Sequence, residues 1–352
     1  ANDIRDMELS PNHHLSGPFE VKGAEPGDML VVDILDLGPF PDHEWGFTGI
    51  FDLENGGGFL TDHFPEARKT IWELDGVMTH SRHIDDVRFP GCAHPGIIGT
   101  APSHELLEAW NEREQALIDR GPDAQTGVNH ETGDDEPPLA LPPEPENVLL
   151  GDMDDNKFED AAKEAARTIP PRENAGNCDI KNLGRGSRVY LPVFVEGANF
   201  ITGDLHFSQG DGEITFCGAI EMAGYIDLKV DIIKNGVEKM GTDHAMFKPG
   251  YQDPDFSDYL VFEGYSVDED GTQHYKNGNV GMRRACLDAL DYLTNFGYTL
   301  VQGYYLLSTV PIESRLVGFI DLTNTCLTVS VPNEGFDIEL LPEPFADCSC
   351  LT

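Results

Sequence analysis

Residues 199–217 constrain the fold of this chain more than any other stretch, because they predict a β-hairpin at its centre. Residues 201–208 are rich in strand formers, and residues 213–217 return as a second strand. Between them, Gln209–Gly212 holds two glycines and an aspartate, a composition typical of a tight hairpin loop. The strongest local pattern therefore predicts antiparallel β structure.

The predicted hairpin gathers acidic side chains on one face. Strand side chains alternate between the two faces, so Asp204 and His206 point the same way. If the loop closes symmetrically, His206 lies opposite Thr215. Glu213 then joins Asp204 and His206 on their face, with Asp211 at its rim. The sequence thus predicts two carboxylates and an imidazole in one small patch.

This patch suits a divalent metal, with zinc favoured by the histidine and calcium by the carboxylates. Closely packed carboxylates repel one another unless a cation or a shared proton compensates. An alternative interpretation needs no metal: Asp211 and its glycines form an ordinary turn, Asp204 caps a turn, and His206 is a half-buried histidine with satisfied hydrogen bonds. The spacing alone leaves both interpretations open.

The charge of the chain limits its partners. Its 352 residues carry 63 acidic and 23 basic side chains, which gives a formal net charge of −40. Because the acids are scattered through folded-looking segments, they are a property of the whole surface, which predicts solubility at high salt and a salt-adapted source. The same field repels phosphates, so we expect neither nucleic acid nor an anionic membrane as a partner.

Cysteine usage and hydropathy predict a cytoplasmic protein. The seven cysteines are odd in number and form no Cys-x-x-Cys pair. Four of them lie in apolar or glycine-rich surroundings that suit buried thiols: Cys92, Cys178, Cys217 and Cys286. No apolar run approaches the length of a membrane span, and no signal peptide is recognisable.

Titratable residues outside the hairpin supply further candidates. Glu221 lies among Ala, Ile, Met and Gly, where an unpaired carboxylate is costly, so it should meet a metal, an arginine or a lysine. His94 lies in a loop of glycines and prolines and is either a ligand or proton carrier or an ordinary histidine. His13 and His14 alternate faces in an extended chain, so both cannot enter one site, and surface positions are expected for them.

The expected fold class is mainly β, with peripheral helices. Ser103 is a good N-cap for a helix that ends near Ile118, and a second helix runs from about Asn279 to Phe296. The segment near residues 298–307 is predicted to be a strand.

The predictions divide the chain into three parts of one intertwined unit. Residues 1–118 form an N-terminal β-rich part with one helix, and residues 151–352 form a C-terminal β-rich part that carries the hairpin. Residues 119–150, rich in glycine, proline and acidic side chains, are predicted to be an excursion with little core content.

Several motifs resemble the signature sequences of a known family. In the hairpin region they are Gly176-Asn-Cys-Asp179, Gly186-Ser-Arg-Val-Tyr-Leu-Pro-Val193, Gly203-Asp-Leu-His206, Gln209-Gly-Asp-Gly-Glu213 and Ala219-Ile-Glu221. Elsewhere they are Val31-Val-Asp-Ile-Leu35, Trp45-Gly-Phe47, Glu54–Pro65, Ser81-Arg-His83 and His94-Pro-Gly. In this order, and over almost the whole chain, they resemble the acetamidase/formamidase family, most closely its formamidase branch.

The resemblance implies a hydrolase that cleaves formamide, and other short aliphatic amides, to ammonia and the carboxylic acid. It also implies a β-sandwich or jelly-roll core, a divalent metal and a homo-oligomer, a trimer or a hexamer. Family members are expected to carry a further N-terminal segment that faces the site. A substrate as small as formamide predicts a narrow pocket.

The resemblance and the chemistry together suggest roles for individual residues. Amide hydrolysis needs a strong nucleophile, stabilisation of the oxyanion and a proton for the leaving ammonia, and a metal with its bound water serves the first two needs. The expected metal ligands are Asp179, Asp204, His206 and Glu221. We expect Glu213 or Asp211 to move protons and Asn177 to orient the substrate amide.

Two alternatives remain at this stage. Cys178 lies in a signature loop close to Lys181 and Asp179, and a thiolate there would attack an amide if its pKa were lowered. In the second alternative the protein is a non-catalytic β-sandwich in which the metal is a structural clamp.

Overall fold

The fold was analysed in a computed structural model that describes residues 2–8, 11–120, 142, 145–250, 258–319 and 323–340. Strands dominate these ranges, which confirms the mainly β class. The strands are β1 (Leu15–Phe19), β2 (Met29–Pro39), β3 (Trp45–Ile50), β4 (Arg68–Asp75), β5 (Met78–Ser81), β6 (Arg88–Pro90), β7 (His94–Gly99), β8 (Pro171–Arg172), β9 (Ala175–Asn177), β10 (Arg188–Pro192), β11 (Phe200–His206), β12 (Phe216–Met222), β13 (Gly224–Ile233), β14 (Met246–Lys248), β15 (Tyr259–Tyr265), β16 (Glu313–Gly318) and β17 (Cys326–Pro332).

One large antiparallel sheet carries the central hairpin. Its strand order is β6-β5-β4-β3-β12-β11-β7-β9-β8, and β1 also pairs with β11. β11 therefore lies between β12 and β7, in the interior of the sheet. Strands from the first and second halves of the chain are neighbours here, so this sheet joins both halves.

Two smaller antiparallel sheets complete the β structure, with strand orders β13-β2-β10-β14 and β15-β17-β16. The four-stranded sheet packs against part of the large sheet. Val32 of β2 and Leu191 of β10 share a hydrophobic core with Ile98 and Phe200 of the large sheet. This packing of one sheet on another is the sandwich-like part of the fold.

The helices of the described ranges are α1 (Asn2–Arg5), α2 (His104–Arg120), α3 (Asp155–Ala162), α4 (Gly236–Met240), α5 (Gly278–Thr294) and α6 (Leu300–Thr309). Two of them, α5 and α6, cover another part of the large sheet. Cys286 of α5 and Leu307 of α6 pack in a second core with Trp72 of β4. α2 begins where predicted, because Ser103 Oγ accepts a hydrogen bond from the Leu106 N–H at 3.2 Å.

The strand predicted near residues 298–307 is wrong, because this segment forms α6. Thr299 Oγ1 accepts the Gln302 N–H at 3.2 Å, and Gln302 Oε1 accepts the Thr299 N–H at 2.9 Å. This reciprocal cap starts the helix. Most of the helix is buried. A buried helix has no polar face, so its sequence lacks the alternation of apolar and polar residues that distinguishes a helix from a buried strand.

The central hairpin forms, but its predicted register is wrong. His206 pairs with Glu221 and not with Thr215. The connection spans residues 207–215 instead of a tight loop, because Phe207 and Ile214 within it are buried in the core. Glu221 therefore lies directly across from His206.

Part of the predicted acidic excursion, residues 121–141 and 143–144, lies outside the described residues. α2 extends two residues beyond the predicted end of its helix. Among the helices that the structure describes, none combines the length and the apolar character needed to cross a membrane.

Tyr304 of α6 holds the central connection in place. Its buried hydroxyl donates a hydrogen bond to the Ile214 carbonyl and accepts one from the Leu60 N–H at 3.0 Å. The ring also stacks on Phe64, with the ring centroids 4.4 Å apart. One side chain thus connects the helix, the connection and the glycine-rich loop near Leu60.

We expect Tyr304→Phe to lower the free energy of unfolding by about 2 kcal/mol or more, because two buried backbone groups lose their partner. Tyr305→Phe is the matched control. The Tyr305 hydroxyl is buried without a hydrogen-bond partner among the described residues, so its removal should leave stability unchanged or slightly raised. Urea unfolding curves measure both variants. Equal losses in the two would contradict the role given to Tyr304.

Candidate metal centre

Acidic side chains and one imidazole meet in a buried cluster on the large sheet. The members of this acid–imidazole cluster are Asp179, Asp204, His206, Glu213 and Glu221. Two overlapping groups of three, both containing His206, have potential ligand atoms within 4.8 Å of one another. His206 Nε2 lies 3.5 Å from Asp204 Oδ2 and 3.4 Å from Glu221 Oε2. The four predicted metal ligands and one predicted proton carrier are therefore close together.

Strand pairing explains how His206 reaches the centre of this cluster. On β11 it pairs with Glu221 of β12 on one side and with His94 of β7 on the other. Asp204 is two residues earlier on the same strand. Glu221, for which the sequence required a partner, meets the imidazole of His206, and its Oε1 accepts a weak hydrogen bond from Cys217 Sγ at 3.6 Å.

The backbone is strained at three members of the cluster. The φ angle is 49° at Asp179, 54° at Asp204 and 45° at Glu213. Residues other than glycine seldom adopt this left-handed region, although aspartate tolerates it better than glutamate. Such strain persists only where the surrounding structure enforces it, and it is concentrated at functional sites.

Gly96 of β7 leaves the space in which the cluster packs. A Cβ atom at this position would lie 2.8 Å from Asp179 Oδ1, Asp204 Oδ2 and His206 Cε1. The Gly96 carbonyl also accepts the N–H groups of Cys178 and Asp179, at 3.0 and 3.2 Å. This glycine therefore anchors the loop that carries Asp179 and accommodates its carboxylate.

Gln209 determines which nitrogen of His206 faces the carboxylates. Gln209 Nε2 donates to the Asp179 backbone carbonyl at 2.6 Å, so its Oε1 is an acceptor for the imidazole. His206 Nδ1–H donates to this oxygen at 2.9 Å. His206 therefore exchanges its proton, or binds a cation, at Nε2.

His94 supports His206 from behind and does not line the cavity described below. It is fully buried, and its Nδ1–H donates to the Cys92 carbonyl at 2.7 Å. Its ring stands edge-on to that of His206, with the ring centroids 5.1 Å apart. Its Nε2 lies 3.0 Å from Gln209 Oε1. Burial and the nearby charge of His206 lower the pKa of His94 to about 3.

Burial and mutual repulsion shift the pKa values within the cluster. Burial raises the pKa of Asp179 to about 7, and the charges of Asp204 and Glu221 add to this effect. Burial and the charge of Asp179 raise the pKa of Glu213 well above its usual value. Burial alone would lower the pKa of His206, but Glu221 and Asp204 raise it well above its usual value. The cluster thus takes up positive charge, as protons or as a cation.

The donor atoms of the cluster fit a divalent metal. Asp179 Oδ1 and His206 Nε2 are buried and have no hydrogen-bond partner among the described residues, since the contacts of Nε2 with the carboxylates lack hydrogen-bond geometry. Buried polar atoms are normally satisfied, and a cation would satisfy these acceptors. Carboxylate oxygens combined with an imidazole nitrogen are common zinc ligands.

A cavity of about 490 Å³ opens onto the cluster. Its lining includes the four carboxylates and the aromatic rings of Phe47, Phe51 and Phe216. Asn177 also lines it: Nδ2 donates to the Ile169 carbonyl at 2.9 Å, and Oδ1 is buried without a hydrogen-bond partner in the described ranges. The cavity is wider than the narrow pocket expected for formamide.

Two other candidates from the sequence lie outside the cluster. Asp211 pairs with Lys181, whose side chain is 4% exposed, and its Oδ2 accepts the Ser314 N–H at 2.8 Å. These contacts tie the central connection to β16. Burial raises the pKa of the Cys178 thiol to about 11, so little thiolate exists near neutral pH.

The sequence patterns missed three residues around the cluster: Gly96, Gln209 and His13. Gly96 and Gln209 stood within noted motifs, but only the fold shows what they contact. His13 was expected at the surface. In the structure both His13 and His14 line the cavity, so the expectation that the two could not share one site is wrong.

Comparison with known proteins finds relatives along almost the whole chain. Residues 1–338 match the model of the acetamidase/formamidase family. A formamidase from Methylophilus methylotrophus is 53% identical over 342 residues, which cover 97% of this chain and 81% of that protein. An acetamidase from Mycolicibacterium smegmatis is 52% identical over 322 residues, covering 89% and 77%. The solved structure of a gamma lactamase from Delftia acidovorans matches with a TM-score of 0.91 and 51% identity, covering 98% and 82%.

The fold and the site together describe a mainly β protein with a buried acid–imidazole cluster on the wall of a cavity. The matches make the assignment specific. The chain belongs to the acetamidase/formamidase family.

If the cluster binds zinc, Gly96→Ala should weaken that binding by about tenfold or more, because the new methyl group displaces three side chains of the cluster. Gly38→Ala on β2 is the matched control. A Cβ at Gly38 would approach only Tyr225, at 3.8 Å, which is an ordinary contact. Competition with a chromophoric chelator measures both affinities. Wild-type affinity in Gly96→Ala would show that the side chains around Gly96 do not hold the ion.

Proposed function

We propose that this protein hydrolyses formamide, and other short aliphatic amides, to ammonia and the carboxylic acid. The observation that carries the proposal is the acid–imidazole cluster at the wall of the cavity. Relatives named formamidase and acetamidase, at 53% and 52% identity, support it. An uncharged amide also suits this acidic site, whereas an anionic substrate would be repelled.

The proposal includes a divalent metal, with zinc favoured and calcium as the alternative. The residues that would hold it are Asp179, Asp204, His206 and Glu221. His206 Nε2 favours zinc, because calcium prefers oxygen ligands. When bound, the metal supplies a polarised carbonyl and a water molecule of lowered pKa.

Asn177 orients the substrate in this proposal. Its Nδ2 is held by the Ile169 carbonyl, so its Oδ1 is available to accept an N–H of the amide. An ester or a carboxylate lacks this N–H and would leave Oδ1 unsatisfied. The same contact therefore gives a preference for amides.

Glu213 moves the protons. The Gly218 N–H donates to its Oε1 at 3.2 Å, so the other oxygen, Oε2, carries the exchangeable proton. As a carboxylate, Glu213 takes a proton from the attacking water, and as the resulting acid it delivers that proton to the leaving nitrogen; a raised pKa makes it the stronger base. Asp211, the other predicted carrier, is engaged by Lys181 and the Ser314 N–H, which supports a structural role.

The environment of Cys178 argues against a thiol nucleophile. Its side chain packs against the core between the two sheets and has a raised pKa. A nucleophilic cysteine needs the opposite, an exposed and electropositive setting. The metal mechanism therefore has the stronger support.

We further propose a cytoplasmic homo-oligomer, a trimer or a hexamer, adapted to high salt. A groove of about 970 Å³ beside the cluster is lined by the exposed apolar side chains of Phe19, Phe40, Trp45 and Tyr225, which supports a subunit interface.

The five cysteines in the described ranges are unpaired, which supports a reducing compartment. The net charge of −40 supports adaptation to high salt. Light scattering at about 2 M KCl reports the assembly, and a monomeric mass would contradict it.

Removal of the metal tests the proposed function. Dialysis against dipicolinate should abolish ammonia release from formamide, and added zinc should restore it, because water alone is a poor nucleophile. Mass spectrometry of the digested protein measures the metal content. Full activity without metal would discard the metal mechanism. A metal-loaded protein that hydrolyses no amide of one to four carbons, and unfolds on metal loss, would instead favour a structural clamp.

Glu213→Gln should lower kcat for formamide by about 10²- to 10⁴-fold with unchanged zinc content, because a carboxamide cannot exchange the proton. Cys178→Ser is the control and should retain the wild-type rate within about twofold. Ammonia release and zinc content are measured for both variants. Zinc loss in the first would make Glu213 a ligand, and an inactive second variant would restore the thiol mechanism.

A further inference from the structure

His13 places an imidazole on the cavity wall beside the cluster. Its Nε2 lies 3.9 Å from Asp204 Oδ2, and its side chain is 21% exposed. This is an ion-pair distance but is too long for a hydrogen bond, so no hydrogen bond to Asp204 occupies Nε2. His13 and Asp204 both line the cavity, and a small molecule bound next to the cluster is within reach of Nε2.

The Thr168 hydroxyl contacts both the backbone and the ring of His13. Thr168 Oγ1 accepts the His13 backbone N–H at 2.9 Å and lies 3.1 Å from His13 Nδ1. When this hydroxyl donates its own hydrogen to Nδ1, the backbone amide, the hydroxyl and the ring nitrogen are all satisfied. The neutral imidazole then carries its hydrogen on Nε2, the nitrogen that approaches the cluster.

The neighbouring residue, Ile169, orients an acceptor on the same cavity. Its carbonyl holds Asn177 Nδ2 at 2.9 Å, and the Asn177 Oδ1 is one of the buried atoms without a partner in the described ranges. Residues 168 and 169 therefore fix one hydrogen-bond donor, His13 Nε2–H, and one acceptor, Asn177 Oδ1. A primary amide presents the complementary pair, an accepting oxygen and a donating nitrogen on one carbon.

We propose that His13 is a catalytic residue that donates its Nε2–H to the carbonyl oxygen of the amide, while Asn177 accepts from the amide nitrogen. The inference rests on the proposed amide hydrolysis. As the water oxygen bonds to the carbonyl carbon, Glu213 takes a proton from the water and the π electron pair moves to the carbonyl oxygen. When Glu213 returns this proton to the nitrogen and the C–N bond breaks, the bond's electron pair stays on the nitrogen, which leaves as ammonia, and the oxygen's pair re-forms the C=O bond.

A donor at the carbonyl oxygen acts on the charge that develops during this reaction. The carboxylates of the cluster accept hydrogen bonds when ionised and repel an oxyanion. The Nε2–H of His13 would donate to the oxyanion and keep its hydrogen throughout the step. His13 thus adds a hydrogen bond to the carbonyl oxygen beside the effect of the proposed metal.

Variants of His13 and Thr168 test this assignment with formamide as the substrate. His13→Ala should lower kcat by about 10²-fold with KM and zinc content nearly unchanged. The kcat of His13→Gln should be at least about tenfold higher than that of His13→Ala, because the glutamine side chain still donates an N–H. Thr168→Val should give an intermediate loss and add nothing to His13→Ala, since it acts through His13. The control is His244→Ala, an exposed histidine paired with Asp243.

Two results would overturn the inference and leave the proposed amide hydrolysis standing. In the first, the kcat of His13→Ala lies within about twofold of wild type. In the second, His13→Ala loses enough zinc to account for its loss of activity. If His13→Ala fails to fold, by circular dichroism, His13→Gln and Thr168→Val decide, and wild-type kcat in Thr168→Val overturns the inference. A zinc-loaded wild-type protein that releases no ammonia from any short amide removes the proposed hydrolysis and this inference together.

Discussion

The mutual repulsion of four carboxylates around one buried imidazole is the constraint on which the site depends. His206 lies at ion-pair distance from Asp204 and Glu221, and Asp179 and Glu213 complete the group. Like charges at this separation, away from water, destabilise the fold unless protons or a cation intervene. Three of these carboxylates also stand on left-handed backbone. A bound cation would offset the repulsion between the carboxylates. Its binding would explain why the fold keeps both the clustered charges and the left-handed backbone.

The large sheet holds this unfavourable group together from several directions. β11 is in the sheet interior, so His206 has a neighbour on each side, and β7 contributes Gly96, whose missing side chain leaves room for the acids. Gln209 fixes the imidazole, and Tyr304 holds the connection that carries Glu213. The candidate ligands thus lie on paired strands and anchored loops, and a metal site requires such rigid support.

Local patterns were sufficient for part of the site. Strand alternation placed Asp204 and His206 on one face, and the apolar surroundings of Glu221 showed that it needs a partner. The register failed because the connection enters the core, and no local rule distinguishes such a connection from a tight turn. Gly96 and His13 come from distant segments, and their role depends on tertiary packing that one sequence does not display. The buried helix α6 was mistaken for a strand because it has no polar face.

The central claim is that the acid–imidazole cluster binds one divalent cation, and anomalous X-ray diffraction from crystals grown with zinc tests it most directly. We predict one strong anomalous peak about 2.0 Å from His206 Nε2, with carboxylate oxygens of Asp179, Asp204 and Glu221 at about 2.0–2.2 Å. Zinc peaks only elsewhere on the acidic surface, with the cluster side chains apart and bridged by water, would contradict the account.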